Sequence, residues 1–200
     1  ELRCFAHYLN DDDYTNEVVN GDVHTRNQHA FGVDSRDLAK TILYATLYGA
    51  SAGKVGRIIG KGDKDGKQII DNFGKAVPAY KRLKEKVERL AEKGYIPGLD
   101  GRKLQIRSTH AALNTLLQSA GAIIAKKWMV LAGTNLRKRG IPYKQVAFVH
   151  DEIQIEVAEQ WAEEVGNIMV QSAMQAGVEL GFRCPVGAEF KIGRNWAECH

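Results

Sequence analysis

The chain has 200 residues, 44% of them apolar, enough to bury a real core in one or two domains, and no apolar run reaches the length of a membrane span. Its net charge of +4 hides an asymmetry: residues 151–200 carry three Lys or Arg against nine Asp or Glu, a net of −6, which leaves 25 positive and 15 negative side chains, +10, on residues 1–150. A basic body joined to an acidic segment suits an enzyme that grips a polyanion and needs carboxylates for metal ions, although ordinary surface charge gives the same sum. Ala120 to Ala125 is the nearest approach to a membrane run, and Lys126-Lys127 ends it. No signal peptide is present, and the opening Glu1-Leu2-Arg3 without a start Met points to a piece of a longer chain. Cys4, Cys184 and Cys199 are odd in number and widely spread, which implies no disulfide framework and fits a reducing compartment.

Taken in order, Glu1 to Leu9 alternates like the end of a strand that runs on into a short helix. Asn10 to Asp13 reads as a solvated loop. Asp22 caps a short helix carrying His24, Asn27 and Gln28. Arg36 to Gly49 then predicts the helix around which the chain is organised, with Asp34 or Ser35 as N-cap and no Pro or Gly before Gly49. Arg36, Lys40, Tyr44 and Tyr48 fall at steps of four, a drift of about 40° per step, so they form one stripe about 18 Å long. Two cations precede two aromatic rings, beside a helix N-terminus with its own positive partial charge. Such a stripe suits a ligand with an anionic end and a flat end, as a nucleotide has. Spacing alone favours the plainer meaning, two core aromatics and two solvated cations.

Residues 50 to 67 are rich in Gly and Lys. Gly60 to Lys67 is no P-loop, because Lys61 stands where the first Gly must be and Gln68 replaces the Ser or Thr. It reads as a flexible basic turn between helices. Ile69, Ile70 and Phe73 mark a short amphipathic helix, and Pro78 opens another with Tyr80, Leu83, Val87 and Leu90 on one face and Gly94 past its end. Lys81, Arg82, Lys84, Lys86 and Arg89 lie on its other face, which reads as solvated and salt-bridged. Gly98, Asp100 and Gly101 signal turns before the strand-like Lys103 to Arg107. A long helix is expected from about Ala111 to Arg139, capped by Ser108 or Thr109 and stopped by Gly140 and Pro142. On it Asn114 and Gln118 share a face, either as core hydrogen-bonders or as readers of a duplex minor groove.

Val146 to Val149 suits a buried strand and Ile153 to Val157 its partner, which puts His150-Asp151-Glu152 at a hairpin tip. Trp161, Val165, Ile168, Met169, Ala173 and Ala176 trace a closing helix packed on that hairpin. Cys184 to Ile192 looks like a last strand before Asn195 to His200. Cys199-His200 with Cys184 or His7 matches no ordinary zinc-finger spacing. Adjacent acids in a tight turn cost energy unless a cation is near, and a divalent ion held by carboxylate and phosphate oxygens is the simplest compensation. Phosphoryl transfer through two such ions would use them. Alone, however, Asp-Glu in a turn usually means a solvated turn.

Three stretches in the right order resemble family A DNA polymerases. Glu1-Leu2-Arg3 resembles the end of motif A, Arg36 to Gly49 resembles motif B, and Val149-His150-Asp151-Glu152 resembles motif C. The run Leu113 to Ala122, the Asp100-Gly101-Arg102 turn and the ending Asn-Trp-Ala-x-Cys-His are most similar to the replicative polymerases of short-tailed lytic phages. The resemblance covers essentially the whole chain. It implies an α+β right-hand polymerase fold, with a palm antiparallel sheet and packed helices plus a mostly helical fingers subdomain. Residues 1–12 would be palm, 13–112 fingers and 113–200 palm again.

The same resemblance implies template-directed DNA synthesis, with deoxynucleotides added to a primer 3′ end and pyrophosphate released. Its cofactor would be Mg2+, two ions in the complete parent site. Its partners would be primer-template DNA, deoxynucleoside triphosphates and a processivity factor on an upstream region, with no membrane. Its location would be cytoplasmic, in the host if phage-encoded. Asp151 would ligate the metals with Glu152 beside it, and His150 would lie near the primer terminus. Glu1 would be the steric gate against a 2′-hydroxyl. Arg36, Lys40 and His24 would hold the triphosphate, with Lys40 protonating the departing pyrophosphate. Tyr44 would pack against the sugar, a Tyr there being associated with poor rejection of dideoxynucleotides. Tyr48 would stack near the templating base, Asn114 and Gln118 would touch the minor groove, and Arg102 would join the DNA contacts.

The family's other metal-binding Asp lies five residues before Glu1, outside this chain, so the 200 residues alone are expected to be inactive. Two alternatives stand beside this reading. A single-subunit RNA polymerase shares the motif B pattern, but Glu1 as gate and Glu152 after His-Asp speak against it. A degenerate nucleic-acid-binding module would bind DNA with strong salt dependence and indifference to Asp151.

Overall fold

Short polar caps set the rhythm of the first half of the chain. In the computed structural model, which describes residues 1–199, Asp11 accepts from the Tyr14 amide, Asp22 from His24 and Thr25, Ser35 from Leu38 and Ser51 from Lys54. Each cap satisfies amides that a helix start leaves unpaired. The helices are α1 (Leu2–Leu9), α2 (Asp12–Asn20), α3 (Val23–Phe31), α4 (Arg36–Leu47), α5 (Ala52–Ile58), α6 (Asp63–Ala76) and α7 (Pro78–Ala91). A two-stranded ribbon of β1 (Tyr95–Pro97) and β2 (Lys103–Gln105) follows, then a 3₁₀ turn at Thr109–Ala111 and the long α8 (Ala112–Lys138). The chain forms two compact units, Glu1–Ser119 and Ala120 onward, with α8 running through the boundary.

Five rings from five helices make the centre of the first unit. Phe5 of α1 meets Tyr14 of α2 edge-on at 5.5 Å and Tyr80 of α7 at 6.1 Å. Phe31 of α3 stacks on Phe73 of α6 at 4.4 Å, and Phe73 lies 5.1 Å from Tyr80. All five are buried, and each such side chain contributes about 1.5–3 kcal/mol relative to exposure. This cluster explains why residues 2–9 are helical throughout and carry no strand. The helix turns Cys4, Phe5, Ala6 and Leu9 inward together, which a period of two could not do. Asn10 closes α1 in the left-handed region at φ 50°, while Asp12 and Asp13 stand in the first turn of α2, so only part of the expected loop is irregular.

Of the turn expected over Gly60 to Lys67, only residues 60–62 are irregular: Asp63 already opens α6, and α6 packs on α5. Gly56 and Gly66 are the reason. A Cβ on Gly66 would collide with the Ala52 carbonyl and the Gly56 amide, and one on Gly56 with the Gly62 carbonyl. Glycine here lets two helix backbones touch.

In the second unit, β3 (Tyr143–Val149) and β4 (Glu152–Val157) pair antiparallel, Tyr143 opposite Val157 and Val149 opposite Glu152. A 3₁₀ turn at Glu159–Trp161 leads to α9 (Ala162–Glu179), and α10 (Trp196–Cys199) closes the chain. Ala132, Leu136, Ile141, Val165 and Met169 form the core, with Trp128, Ile153, Ile155 and Trp161 packed against it. The closing helix therefore lies on the hairpin as its stripe indicates. Trp128 Nε1 donates to the Met169 carbonyl at 2.8 Å and ties α8 to α9.

Two expectations are corrected here. The β3 run is not buried: Val146 is 59% and Val149 39% exposed, and the pairing register skips Val146. A ribbon of two strands packs on helices with one face, and the extra residue at the irregularity turns outward. Residues 184–192 form no strand among the described residues. They run as a strap along α9, with Val186 over Gly177 and Phe190 over Gly166. The spacing of Val186 and Phe190 serves packing on a helix. The zinc reading that used His200 lies outside the described residues. Among those described, no group of three or more His, Cys, Asp or Glu is arranged to hold a metal, and no helix is long and apolar enough to cross a membrane.

Candidate functional site

On α4 the buried face is Ala39, Ile42, Leu43, Thr46 and Leu47. Arg36, Lys40 and Tyr48 are exposed and Tyr44 is half-buried, so the cation–aromatic stripe lies on the solvent side and is not core. Ser35 caps the start of this helix. At its other end Tyr48 leaves helical geometry and Gly49 turns the chain at φ 80°. A Cβ on Gly49 would strike the His110 carbonyl. That close approach brings the 3₁₀ turn against the end of α4.

Four residues gather there. The Tyr48 hydroxyl donates to both oxygens of Glu1, at 2.7 and 2.6 Å. Gln118 Nε2 donates to Glu1 Oε1. The ring of Tyr44 lies 6.3 Å from that of Tyr48, tilted by 44°. The hydrogen bond to Glu1 holds the Tyr48 phenol in its protonated form, pushing its pKa up to about 12. Burial, then the charge of Glu1, raises that of Tyr44. Asn114 stands one turn before Gln118, its Oδ1 buried with no hydrogen-bond partner.

The cationic end is organised differently. Asp22, besides capping α3, accepts Arg36 Nε at 3.0 Å and takes the Thr25 hydroxyl at 2.8 Å. The guanidinium of Arg36 holds the Asp22 carboxyl far below the usual carboxylate range. His24 lies beside this pair with Nδ1 buried and without a hydrogen-bond partner. Burial first, then the charges of Arg36 and Lys40, lower its pKa, against smaller opposing effects of Asp22 and Asp37. Asp22 as partner of Arg36 was not legible in the sequence, where the two stand 14 residues apart. Arg102 sits apart at the β1–β2 turn, paired with Asp100 at 2.6 Å.

In the second unit, His150 and Asp151 form the two-residue turn between Val149 and Glu152. His150 adopts φ 55°, which an L side chain tolerates at a cost of order 1–3 kcal/mol. Asp151 is exposed at the tip. Glu152 Oε1 accepts Trp196 Nε1 at 2.8 Å and Gln154 Nε2. Neither partner of Glu152 was among the sequence candidates, and the Trp lies 44 residues further on.

A solvent-facing row of cations and rings thus lies on one unit, and two adjacent acids at a strained turn lie on the other. Residues 1–198 match the model of DNA polymerase family A, and the chain belongs to that family. It is 39% identical, over its whole length, to the DNA-directed DNA polymerase of Escherichia phage T7, of which it covers 32%. It is 31% identical, over 99% of its length, to DNA polymerase I of Aquifex aeolicus, of which it covers 38%. The chain thus spans about a third of the length of these curated relatives. Among solved structures, the POL domain of Pol1 from M. smegmatis, in complex with DNA primer-template and dNTP, matches with a TM-score of 0.79 at 23% identity. That match covers 88% of this chain and 35% of the other. The α+β polymerase fold is therefore the one the sequence resemblance implied.

Proposed function

We propose that this chain forms the nucleotide-receiving and catalytic-carboxylate portion of a DNA-directed DNA polymerase, extending a primer on a template with deoxynucleoside triphosphates. The observation that carries the reading is the solvent-facing stripe of α4, closed at its aromatic end by the Glu1–Tyr48–Gln118 hydrogen bonds. Residues 1–12 would belong to the palm, 13–112 to the fingers and 113–200 to the palm again.

The roles follow from chemistry. Arg36, Lys40 and His24 would hold the triphosphate, Arg36 exchanging Asp22 for a phosphate. Lys40, an ammonium among phosphate oxygens, would protonate the departing pyrophosphate. Tyr44 would pack on the sugar. Glu1, immobilised by two donors, would occupy the space of a 2′-hydroxyl. Tyr48 would lie by the templating base. Asn114, Gln118, Arg102 and His150 would contact the duplex, the amides through minor-groove acceptors common to all base pairs.

Asp151 and Glu152 fit Mg2+, which takes one or two carboxylates and completes its shell with waters and substrate phosphates. Bound there, the ions would supply charge stabilisation at the reacting phosphate. Asp151, exposed at the tip, would be the principal ligand, and Glu152 would stand beside it. The family's pattern places the second metal-binding Asp before Glu1, so the 200 residues alone should not extend a primer.

Primer extension tests the reading. The polymerase containing this chain should incorporate deoxynucleotides far better than ribonucleotides, and Glu1→Ala should raise ribonucleotide use by about tenfold or more. Equal use of both nucleotides by the unaltered enzyme would contradict it.

A further inference from the structure

The strap that follows α9 ends in a short turn fixed by hydrogen bonds. Asn195 and Glu198 close a capping box around α10: the Glu198 amide donates to Asn195 Oδ1 at 3.2 Å, and Asn195 Nδ2 donates to Glu198 Oε1 at 2.9 Å. The Arg194 amide adds a bond to Glu198 Oε2 at 2.8 Å. A four-residue helix has little stability of its own, so these bonds fix its geometry. Gly193 permits the tight return, since a Cβ there would stand 2.6 Å from Glu198 Cβ and 2.9 Å from Cys199 Sγ. Upstream, Phe190 over Gly166 and Val186 over Gly177 lay the strap along α9. The first residue of the fixed turn is Trp196. Trp196 is 48% exposed, and its indole N–H reaches Glu152 Oε1 at 2.8 Å.

We propose that Trp196 is a positioning residue: the C-terminal strap delivers its indole to the hairpin tip, where it fixes the side chain of Glu152 next to Asp151. Indole donates only, through one N–H in a rigid plane, so it orients a carboxylate without competing for a cation. Gln154 donates to the same oxygen from the same strand, so Glu152 is held from its own strand and from the strap. Loss of the indole donor would widen the set of rotamers open to the Glu152 carboxylate. The catalytic effect of this contact rests on the polymerase reading above.

The test uses the full polymerase and two readouts. In protein labelled with 5-fluorotryptophan, the resonance lost in Trp196→Phe should shift when Glu152→Gln is introduced. Trp196→Phe keeps a ring but removes the donor, and should lower kcat about tenfold while KM for the nucleotide and Kd for primer-template stay within about twofold. Added to Glu152→Gln, it should cause no further loss, because the two act through one contact. Asn195→Ala, which loosens the capping box with the indole intact, should reproduce part of the kcat loss. A resonance indifferent to Glu152, an unchanged kcat in an active enzyme, or additive losses would each overturn the proposal. Absence of primer extension by the unaltered enzyme would instead sink the polymerase reading, and the fluorine shift would still decide whether the contact exists.

Discussion

His24 carries an unusual burden for an imidazole so near the surface. Its Nδ1 is buried without a partner, and burial together with Arg36 and Lys40 disfavours its protonated form. A histidine whose folded pKa lies below its unfolded value binds fewer protons when folded, so stability rises with pH through the range just below about 6.5. A bound polyphosphate would offset the two neighbouring cations, raise the pKa and take up a proton. The nucleotide KM should therefore fall as pH drops from 8 to 6, by about threefold more in the unaltered polymerase than in His24→Gln. Identical pH profiles for the two proteins would remove His24 from the triphosphate site. The exposed stripe of Arg36, Lys40, Tyr44 and Tyr48 was legible because steps of four align side chains on a helix. Asp22, which holds Arg36, and Gly49, on which the His110 carbonyl closes, were not. Their roles depend on where a second element passes, and local spacing does not carry that.

Between elements, glycine decides more than composition suggests. The stretch Gly60 to Lys67 reads as a turn when glycine is taken as a breaker, yet Asp63 to Lys67 belong to α6, and Gly56 and Gly66 are the contact by which α5 and α6 pack. Gly74, further along α6, has nothing within 4 Å of where a Cβ would be. The two positions should therefore respond in opposite directions. Gly66→Ala should destabilise by about 1–3 kcal/mol through overpacking, and Gly74→Ala should stabilise by up to about 1 kcal/mol through helix propensity. Urea midpoints measure both, and equal shifts would mean that the close backbone approach is wrong. The strap over α9 shows the same limit from the other side. Its apolar residues read as a strand, but Val186 and Phe190 find glycines on a helix, and no local pattern tells a sheet partner from a helical groove. The hairpin and the long α8 were legible because alternation and a run free of breakers are self-contained signals. Gly140, at φ 69°, stops α8 as expected, whereas Ser108 precedes the 3₁₀ turn without a capping hydrogen bond and α8 begins only at Ala112.

At the scale of the whole molecule, the charge asymmetry runs along the sequence and not between the units. Residues 1–119 carry 19 positive and 15 negative side chains, and residues 120 onward carry nine of each, because the six cations from Lys126 to Lys144 share a unit with the nine carboxylates that follow. Family membership was legible from three short motifs because each keeps its residue types at fixed spacing. The exposed second face of the β3–β4 ribbon was not, since Val146 to Val149 reads the same whether or not another strand covers it. The proposed function turns on Asp151, at the strained tip, acting as a catalytic carboxylate. Single-turnover primer extension by the full polymerase and its Asp151→Asn variant decides this. The variant should bind primer-template as the unaltered enzyme does and extend it at least about a thousandfold more slowly. Extension at an unchanged rate would exclude Asp151 from the chemistry.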